Sequence, residues 1–232
     1  MVTRRAANAW ERYAWAGGVL YVIALVTESV ISLGVKANQN DSAAKIANEL
    51  HAHHQRMVVV ACICVLYAVG FGIYIARLHD LLRGITSPHA LSSLVLVGGV
   101  LFVTLHAVSD IGIIGMLGAK VAAFSGQHDP GISYTLYLLT FALDSVGDVF
   151  GSLFLVAAGV LVIRSRVLPR WLAWASIVAG ALLFLQGFGL GGVISNFGLV
   201  LDLIGFLLLL IFVLASSVIG LVRAPRVAAT TA

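Results

Sequence analysis

The chain has 232 residues, of which 60% are hydrophobic and only 10% are charged. Soluble proteins carry about a quarter charged residues, so this composition excludes an ordinary water-soluble domain and indicates a protein whose solvent is lipid. The formal net charge of +4 does not indicate nucleic acid as a partner, because the basic residues stand at the ends of apolar runs, where they orient a membrane protein.

A helix needs about 20 apolar residues to cross the hydrocarbon core, and the chain has room for six such helices with short connections. We therefore predict an all-α, polytopic membrane helix bundle that forms one integral membrane domain over residues 1–232. The predicted spans, in chain order, are 14–33, 57–78, 91–117, 134–163, 171–190 and 197–222. In the fourth predicted span, Gly147 and Gly151 have the small-xxx-small spacing that favours close contact with another helix.

Between the first and second spans lies the longest polar segment of the chain. Asp41 or Ser42 can cap a helix there, and the apolar residues that follow have helical spacing, so we predict an external amphipathic helix. We interpret His51, His53 and His54 as its solvated face, with a pH sensor or a set of metal ligands as the alternative.

The basic residues indicate the orientation. Ten of the fourteen Lys and Arg residues lie at the N-terminus, between the second and third spans, between the fourth and fifth, and in the tail. Because cytoplasmic segments carry the excess of Lys and Arg, both termini are predicted in the cytoplasm, giving an N-in/C-in protein. We expect it in the plasma membrane, the inner membrane of the cell, with the lipid bilayer as its first partner.

Ionisable residues inside the predicted spans are the most informative feature of the sequence. They are Glu28, His106, Asp110, Asp144, Asp148 and Asp202. An Asp at the centre of a membrane helix opposes insertion by roughly 3 kcal/mol, so such residues usually face the bundle interior. With the predicted orientation, they lie at the midplane or in the outer half of the membrane. Gln186 adds a neutral polar group at a similar depth, and Asn196 follows in a predicted external hairpin.

The spacing of two pairs agrees with a shared pocket. His106 and Asp110 are four residues apart, as are Asp144 and Asp148, so each pair occupies one helix face. Crowded carboxylates in a low dielectric cannot all ionise, so at least one is expected to hold a proton. We predict an outer-leaflet pocket that binds, or acts by acid–base catalysis on, a small lipophilic ligand. The predicted catalytic residues are Asp144, Asp148, Asp110 and Glu28, with His106 as proton relay, and the predicted ligand-binding residues are Asp202, Gln186 and Asn196.

The same residues allow three other interpretations. Intramembrane acids can join helices by hydrogen bonds worth about 1 kcal/mol each, as in a structural or partner-binding protein. They can also belong to a proton- or cation-coupled small transporter, although such proteins usually place their site near the midplane. Carboxylates with one histidine could hold a metal ion, but no HxxxH motif lies in the spans. The sequence identifies no cofactor, and it leaves open whether the protein is an enzyme or a homo-oligomer.

Three segments resemble a known family. They are VLVIRSRVLPRWLAWASIVAGALLFL around the basic turn at Pro169, the external DSAAKIANEL, and the closing LVLDLIGFLLLLIFVLASSVIGLVR. Together with a first span that ends near Glu28, they resemble the bacterial multi-pass membrane family called domain of unknown function 4386 over most of the chain. The resemblance implies a multi-pass membrane fold and adds no mechanism.

A looser resemblance is to small integral membrane terpene cyclases, which use an acidic residue within the membrane to protonate a prenyl chain. It implies Asp144 or Asp148 as the acid, because a desolvated carboxylic acid donates its proton readily. Aromatic faces can stabilise the carbocation that follows. The candidate walls are Phe102, Phe141, Phe150 and Phe154, for which ordinary packing is the alternative.

Overall fold

The computed structural model describes the backbone of residues 2–36, 41–84, 90–110, 113, 117, 130–187 and 195–229. It describes side chains within residues 12–36, 41–84, 90–110, 113, 117, 130–187, 200–201 and 203–223. Within these ranges the chain forms helices and no strand. The helices are α1 (Val2–Ser32), α2 (Ala43–Ala52), α3 (His54–Arg83), α4 (Ala90–Ser109), α5 (Pro130–Ser165), α6 (Arg170–Leu185) and α7 (Ser195–Ala229).

The described part of the chain has five segments long and apolar enough to cross a membrane. They are Arg12–Ser32, His54–Arg83, Ala90–Ser109, Pro130–Ser165 and Leu203–Arg223. The remaining apolar helix, α6, has 16 residues, fewer than the roughly 20 that a crossing usually needs. The prediction of an all-α, polytopic membrane bundle is confirmed, while the sixth crossing and the orientation stay predictions.

Two helices, α4 and α6, end within the predicted spans. α4 ends at Ser109, whereas the third span was predicted to reach residue 117. The Ser109 hydroxyl shares its single hydrogen between the Asp144 carboxylate and the His106 carbonyl, which lies at 2.9 Å and so gains a partner outside the helical ladder. α6 ends at Leu185, before the predicted residue 190, and a π-helical turn follows at residues 186–187. Residues 113 and 117 are again helical, and residues 188–194 lie outside the described backbone, so the bounds predicted for both spans stay predictions.

The six longer helices form a closed ring in the order α1, α3, α4, α5, α6 and α7, with α7 returning to α1. An aromatic cluster fills the ring around Phe71, which is fully buried. The Phe71 ring centroid lies 4.5 Å from that of Tyr21 and 5.7 Å from those of Phe102 and Phe154. Such tilted and edge-to-face pairs stabilise a core by about 0.5–1.5 kcal/mol each beyond their burial, so this cluster ties four helices together.

The short helix α2 matches the amphipathic helix that the sequence predicts. The Ser42 hydroxyl accepts a hydrogen bond from the Lys45 backbone N–H at 3.3 Å and so caps the first turn. Its apolar face is buried: Ile46 and Leu50 pack with Tyr137 of α5. α2 therefore covers one end of α5, and its placement outside the membrane stays a prediction.

Candidate functional site

A cavity of about 310 Å³ lies between α1, α3, α4, α5 and α7. Four predicted site residues line it: Glu28, His106, Asp110 and Asp144. Six aromatic residues form much of the remaining wall, and these are Tyr21, Tyr67, Phe102, Tyr137, Phe141 and Phe206. Ligand sites commonly have volumes of about 300–1,000 Å³, so this cavity has the size of a site for a small molecule.

Glycines on α5 determine how closely α4 approaches it. A Cβ atom at Gly147 would lie 2.6 Å from Cε1 of His106, and one at Gly151 would lie 2.6 Å from Cδ2 of Phe102. Only a hydrogen atom fits at these positions, as the small-xxx-small spacing predicts. Gly147 and Gly151, the glycine surface of α5, thereby let the His106 and Phe102 side chains lie beside the cavity.

Glu28 is held by its own helix. The hydroxyl of Ser32 donates to one carboxylate oxygen at 2.6 Å, and that of Ser29 donates to the other at 3.3 Å. Glu28 is only 8% exposed, yet it lines the cavity. Since both described donors belong to α1, these hydrogen bonds orient the carboxylate and do not join two helices.

Asp144 reaches the cavity from the N-terminal half of α5. Its carboxylate accepts a hydrogen bond from the hydroxyl of Ser109, the last residue of α4. Asp110 follows directly and lines the same cavity. Glu28, Asp110 and Asp144 all line this cavity, so three carboxylates from different parts of the chain face one space.

Both ring nitrogens of His106 face fixed groups. Nδ1 lies 3.0 Å from the Phe102 carbonyl oxygen, and because a carbonyl only accepts, Nδ1 must carry a hydrogen. Nε2 lies 3.3 Å from Oδ1 of Asp148, an ion-pair distance, although the alignment is too poor for a hydrogen bond. The imidazole also lies between the rings of Phe102 and Phe206, at centroid distances of 4.2 and 6.4 Å. His106 is thus fixed in place.

Asp148 does not line the cavity. It is 4% exposed and lies against His106, although the helical spacing places it on the same face as Asp144. This arrangement favours a role in holding His106 over direct contact with a ligand. For His106 to act as the predicted proton relay, one of its ring nitrogens would have to leave the group that it now faces.

The other predicted ligand-binding residues are not brought to this cavity by the described structure. Gln186 is half-buried at the end of α6, and its Oε1 atom has no hydrogen-bond partner among the described residues. The side chains of Asn196 and Asp202 lie outside the described residues. Of the predicted aromatic walls, Phe102 and Phe141 line the cavity, whereas Phe154 is buried in the aromatic core and Phe150 packs against it.

Sequence reasoning missed four of the aromatic residues that line the cavity: Tyr21, Tyr67, Tyr137 and Phe206. The signal for two of them is helical periodicity. Tyr21 precedes Glu28 by seven residues and Tyr137 precedes Asp144 by seven, which is two helical turns in each case. Each acid therefore shares a helix face with a tyrosine, and both members of each pair reach the cavity.

Neither set of candidate metal ligands forms a cluster. Within the described ranges, no three His, Cys, Asp or Glu side chains are placed to hold a metal ion together. On α2 and the turn after it, Nε2 of His53 lies 3.6 Å from Glu49, and Nδ1 of His54 faces the His51 carbonyl. Neither the cavity nor α2 supplies a described observation that favours the metal alternative.

The family suggested by the sequence segments was confirmed by comparison with known proteins. The family model described as Domain of unknown function (DUF4386) matches residues 16–221, a range that contains every described residue of the cavity. No curated protein and no solved structure matches the chain significantly. The chain belongs to the multi-pass family described as Domain of unknown function (DUF4386).

Proposed function

We propose that this membrane protein binds a small lipophilic molecule in the cavity and acts on it by acid–base chemistry. One observation carries the proposal: Glu28, Asp110 and Asp144 line a single cavity whose other walls are largely aromatic. The apolar walls can take the body of a lipophilic molecule, while the carboxylates can contact its polar or reacting group.

In this proposal the three carboxylates contact the ligand and exchange protons with it. Neighbouring carboxylates share protons as a group, so one can donate while another accepts. Ser29, Ser32 and Ser109 orient two of them, Glu28 and Asp144, through the hydrogen bonds described above. His106 forms part of the wall, and Asp148 acts as a positioning residue behind it.

Terpene-cyclase-like chemistry is one form that this function could take. A carboxylic acid would donate a proton to one alkene carbon of a prenyl chain, and the other carbon would become the carbocation. The aromatic walls would stabilise that cation, and a neighbouring carboxylate would remove a proton from an adjacent carbon to end the reaction. Of the two acids that this resemblance implies, Asp144 is the candidate, because it lines the cavity and Asp148 does not.

The proposed placement has six crossings, both termini in the cytoplasm, and the cavity in the outer half of the plasma membrane. α6 closes the helix ring between α5 and α7, which supports a sixth crossing despite its short length. Topology reporters fused after residues 87, 125, 167 and 192 test this placement. Cytoplasmic signals at 87 and 167 with external signals at 125 and 192 are expected, whereas equal signals at 167 and 192 would show that α6 does not cross.

The ligand can be sought by native mass spectrometry. Delipidated protein would be incubated with a lipid extract of its own membrane, in three versions: wild type, Asp144→Asn and Asp80→Asn. Asp80 is exposed on α3 and does not line the cavity, so it is a matched control for the removal of a carboxylate. A molecule retained by wild type and Asp80→Asn, but lost about tenfold or more from Asp144→Asn, supports the proposal.

Two other results would contradict it. Equal retention by all three proteins would mean that the cavity is not the binding site and would favour the structural interpretation. Uptake of protons or substrate into proteoliposomes, driven by a pH gradient and absent in Asp144→Asn, would favour the coupled transporter.

A further inference from the structure

We infer that the cavity is built for a positively charged ligand: a lipophilic amine or quaternary ammonium group held between carboxylates and aromatic rings. The inference rests on the proposed function, since it names the chemical class of the molecule bound at that site. It would explain why this cavity combines two features, acidic side chains and a largely aromatic wall.

The first argument is the charge of the lining. Among the described residues, the carboxylates of Glu28 and Asp144 accept hydrogen bonds only from serine hydroxyls, and neither is in an ion pair. The described lining contains no Lys or Arg, and its one histidine lies 3.3 Å from Asp148. An ionised carboxylate is costly in a low dielectric unless a cation accompanies it, and otherwise it takes up a proton. A cationic ligand would supply that partner to Glu28 and Asp144.

The second argument is the aromatic character of the cavity wall. Six aromatic side chains line the cavity, and aromatic faces attract cations, most effectively where water is excluded. Aromatic walls are the usual means of recognising quaternary ammonium groups, which cannot donate hydrogen bonds. Two of them, Tyr137 and Phe141, pack edge to face, with ring centroids 5.4 Å apart and an interplanar angle of 83°.

Cavity size and the placement of the candidate ligands favour an organic cation over a metal ion. A bound metal ion needs several oxygen ligands at about 2.0–2.6 Å, in a site little larger than the ion itself. The cavity of about 310 Å³ has room for a molecule of many atoms, and within the described ranges no three His, Cys, Asp or Glu side chains are placed to hold a metal ion together. The combination of volume, aromatic wall and carboxylates therefore favours a molecule with a compact cationic group and an apolar body.

The test compares two probes of the same shape and different charge. Benzyltrimethylammonium is the cation, and neopentylbenzene is its neutral isostere, in which carbon replaces the charged nitrogen. Binding to the full chain would be measured by isothermal titration in nanodiscs made of zwitterionic lipid, so that the cation gains no affinity from the membrane surface. We expect the wild type to bind the cation about tenfold or more tightly than the isostere.

Variants locate the binding. Asp144→Asn and Glu28→Gln should each weaken binding of the cation about tenfold and leave the isostere unchanged, while Asp80→Asn should change neither. An aromatic pair serves if an acid variant fails to fold. Phe141→Leu should weaken cation binding severalfold. Phe184→Leu is its control and should not weaken binding, because Phe184 does not line the cavity. The two side chains are similarly exposed, at 40% for Phe141 and 42% for Phe184.

Three outcomes would overturn the inference. If the isostere binds as tightly as the cation and Phe141→Leu weakens both, the site takes lipophilic molecules without selecting for positive charge, and the proposed function survives. If cation affinity is equal in wild type, Asp144→Asn and Glu28→Gln, the carboxylates do not recognise the charge. If neither probe binds, the inference fails, and the lipid-extract experiment decides the proposed function separately.

Discussion

Two polar clusters buried among apolar helices differ in how their hydrogen bonds are satisfied. The hydroxyl cluster, Tyr74 with Ser216, joins α3 to α7. Ser216 donates to the Phe212 carbonyl at 2.6 Å, so its single hydrogen is used, and the Tyr74 hydroxyl must be the donor in their 2.7 Å hydrogen bond. Both residues are fully buried and neutral, and each of the two hydroxyl hydrogens has an acceptor within the protein.

The carboxylate cluster, Glu28 with Asp110 and Asp144, is arranged in the opposite way. Its members carry ionisable groups and line a cavity of about 310 Å³, and only Asp144 has a described hydrogen bond to another helix, from Ser109 of α4. Helix association requires only what the hydroxyl cluster provides, namely neutral groups that satisfy each other across an interface. The comparison therefore supports a structural role for the hydroxyl cluster and a ligand-binding role for the carboxylate cluster.

The largest expected effect comes from the support behind the cavity. His106→Leu removes the imidazole within 3.3 Å of Asp148 and leaves that carboxylate buried without this partner. We expect a loss of about 3–5 kcal/mol in the free energy of unfolding, measured by denaturation in mixed micelles. The double variant with Asp148→Asn should recover part of this loss. Additive effects of the two substitutions would show that the pair is not coupled.

A smaller effect is expected where α4 meets α5. Gly147→Ala places a methyl group 2.6 Å from Cε1 of His106 and should cost about 1–3 kcal/mol of stability through overpacking. Gly72→Ala is the control, because a Cβ atom there meets nothing within 4 Å. It should be neutral, or stabilising by up to about 1 kcal/mol through helix propensity. Equal thermal shifts for the two variants would contradict the close approach of the helices.

The contrast between the clusters is sharpened by one substitution in each. Tyr74→Phe removes a donor from the hydroxyl cluster and should lower stability by about 1 kcal/mol without changing ligand affinity. Asp144→Asn should do the reverse, reducing ligand affinity while thermal stability stays within about 1 kcal/mol of the wild type. Thermal denaturation and binding would be measured on the same samples. A loss of ligand affinity in Tyr74→Phe would remove the distinction between the two clusters.

The smallest effect is expected at the exposed surface of α2. Lys45 Nζ lies 2.7 Å from Asp41 Oδ1, but the lysine side chain is 56% exposed. Lys45→Ala should therefore change stability by no more than about 0.5 kcal/mol, and by less in high salt. A larger loss would mean that the covering of α5 by α2 depends on this ion pair and not on its buried apolar face.

The sequence predicts most of the architecture because the relevant signals are local. Runs of apolar residues predict the long helices, and Ser42 followed by apolar residues at helical spacing predicts α2. Helix ends are less predictable: the last turn of α4 depends on a Ser109 hydroxyl that bonds both its own helix and Asp144. The second of those contacts is tertiary, and no local pattern contains it.

The candidate site is only partly predictable for a similar reason. Helical spacing places Asp144 and Asp148 on one face, but one turn of helix separates a carboxylate that lines the cavity from one that lies behind His106. That difference depends on where α4 crosses the glycine surface of α5. Likewise, Phe154 lies in the core and Tyr21 at the cavity because of packing between helices, which periodicity alone does not specify.

The most direct test of the ligand-binding account is a crystal structure of the protein with 4-bromobenzyltrimethylammonium, with the bromine located by its anomalous scattering. The account predicts a bromine peak inside the cavity, with the ammonium group between the carboxylates of Glu28 and Asp144. Bromine peaks found only on the lipid-facing surface, with the cavity closed by its own aromatic side chains, would contradict it.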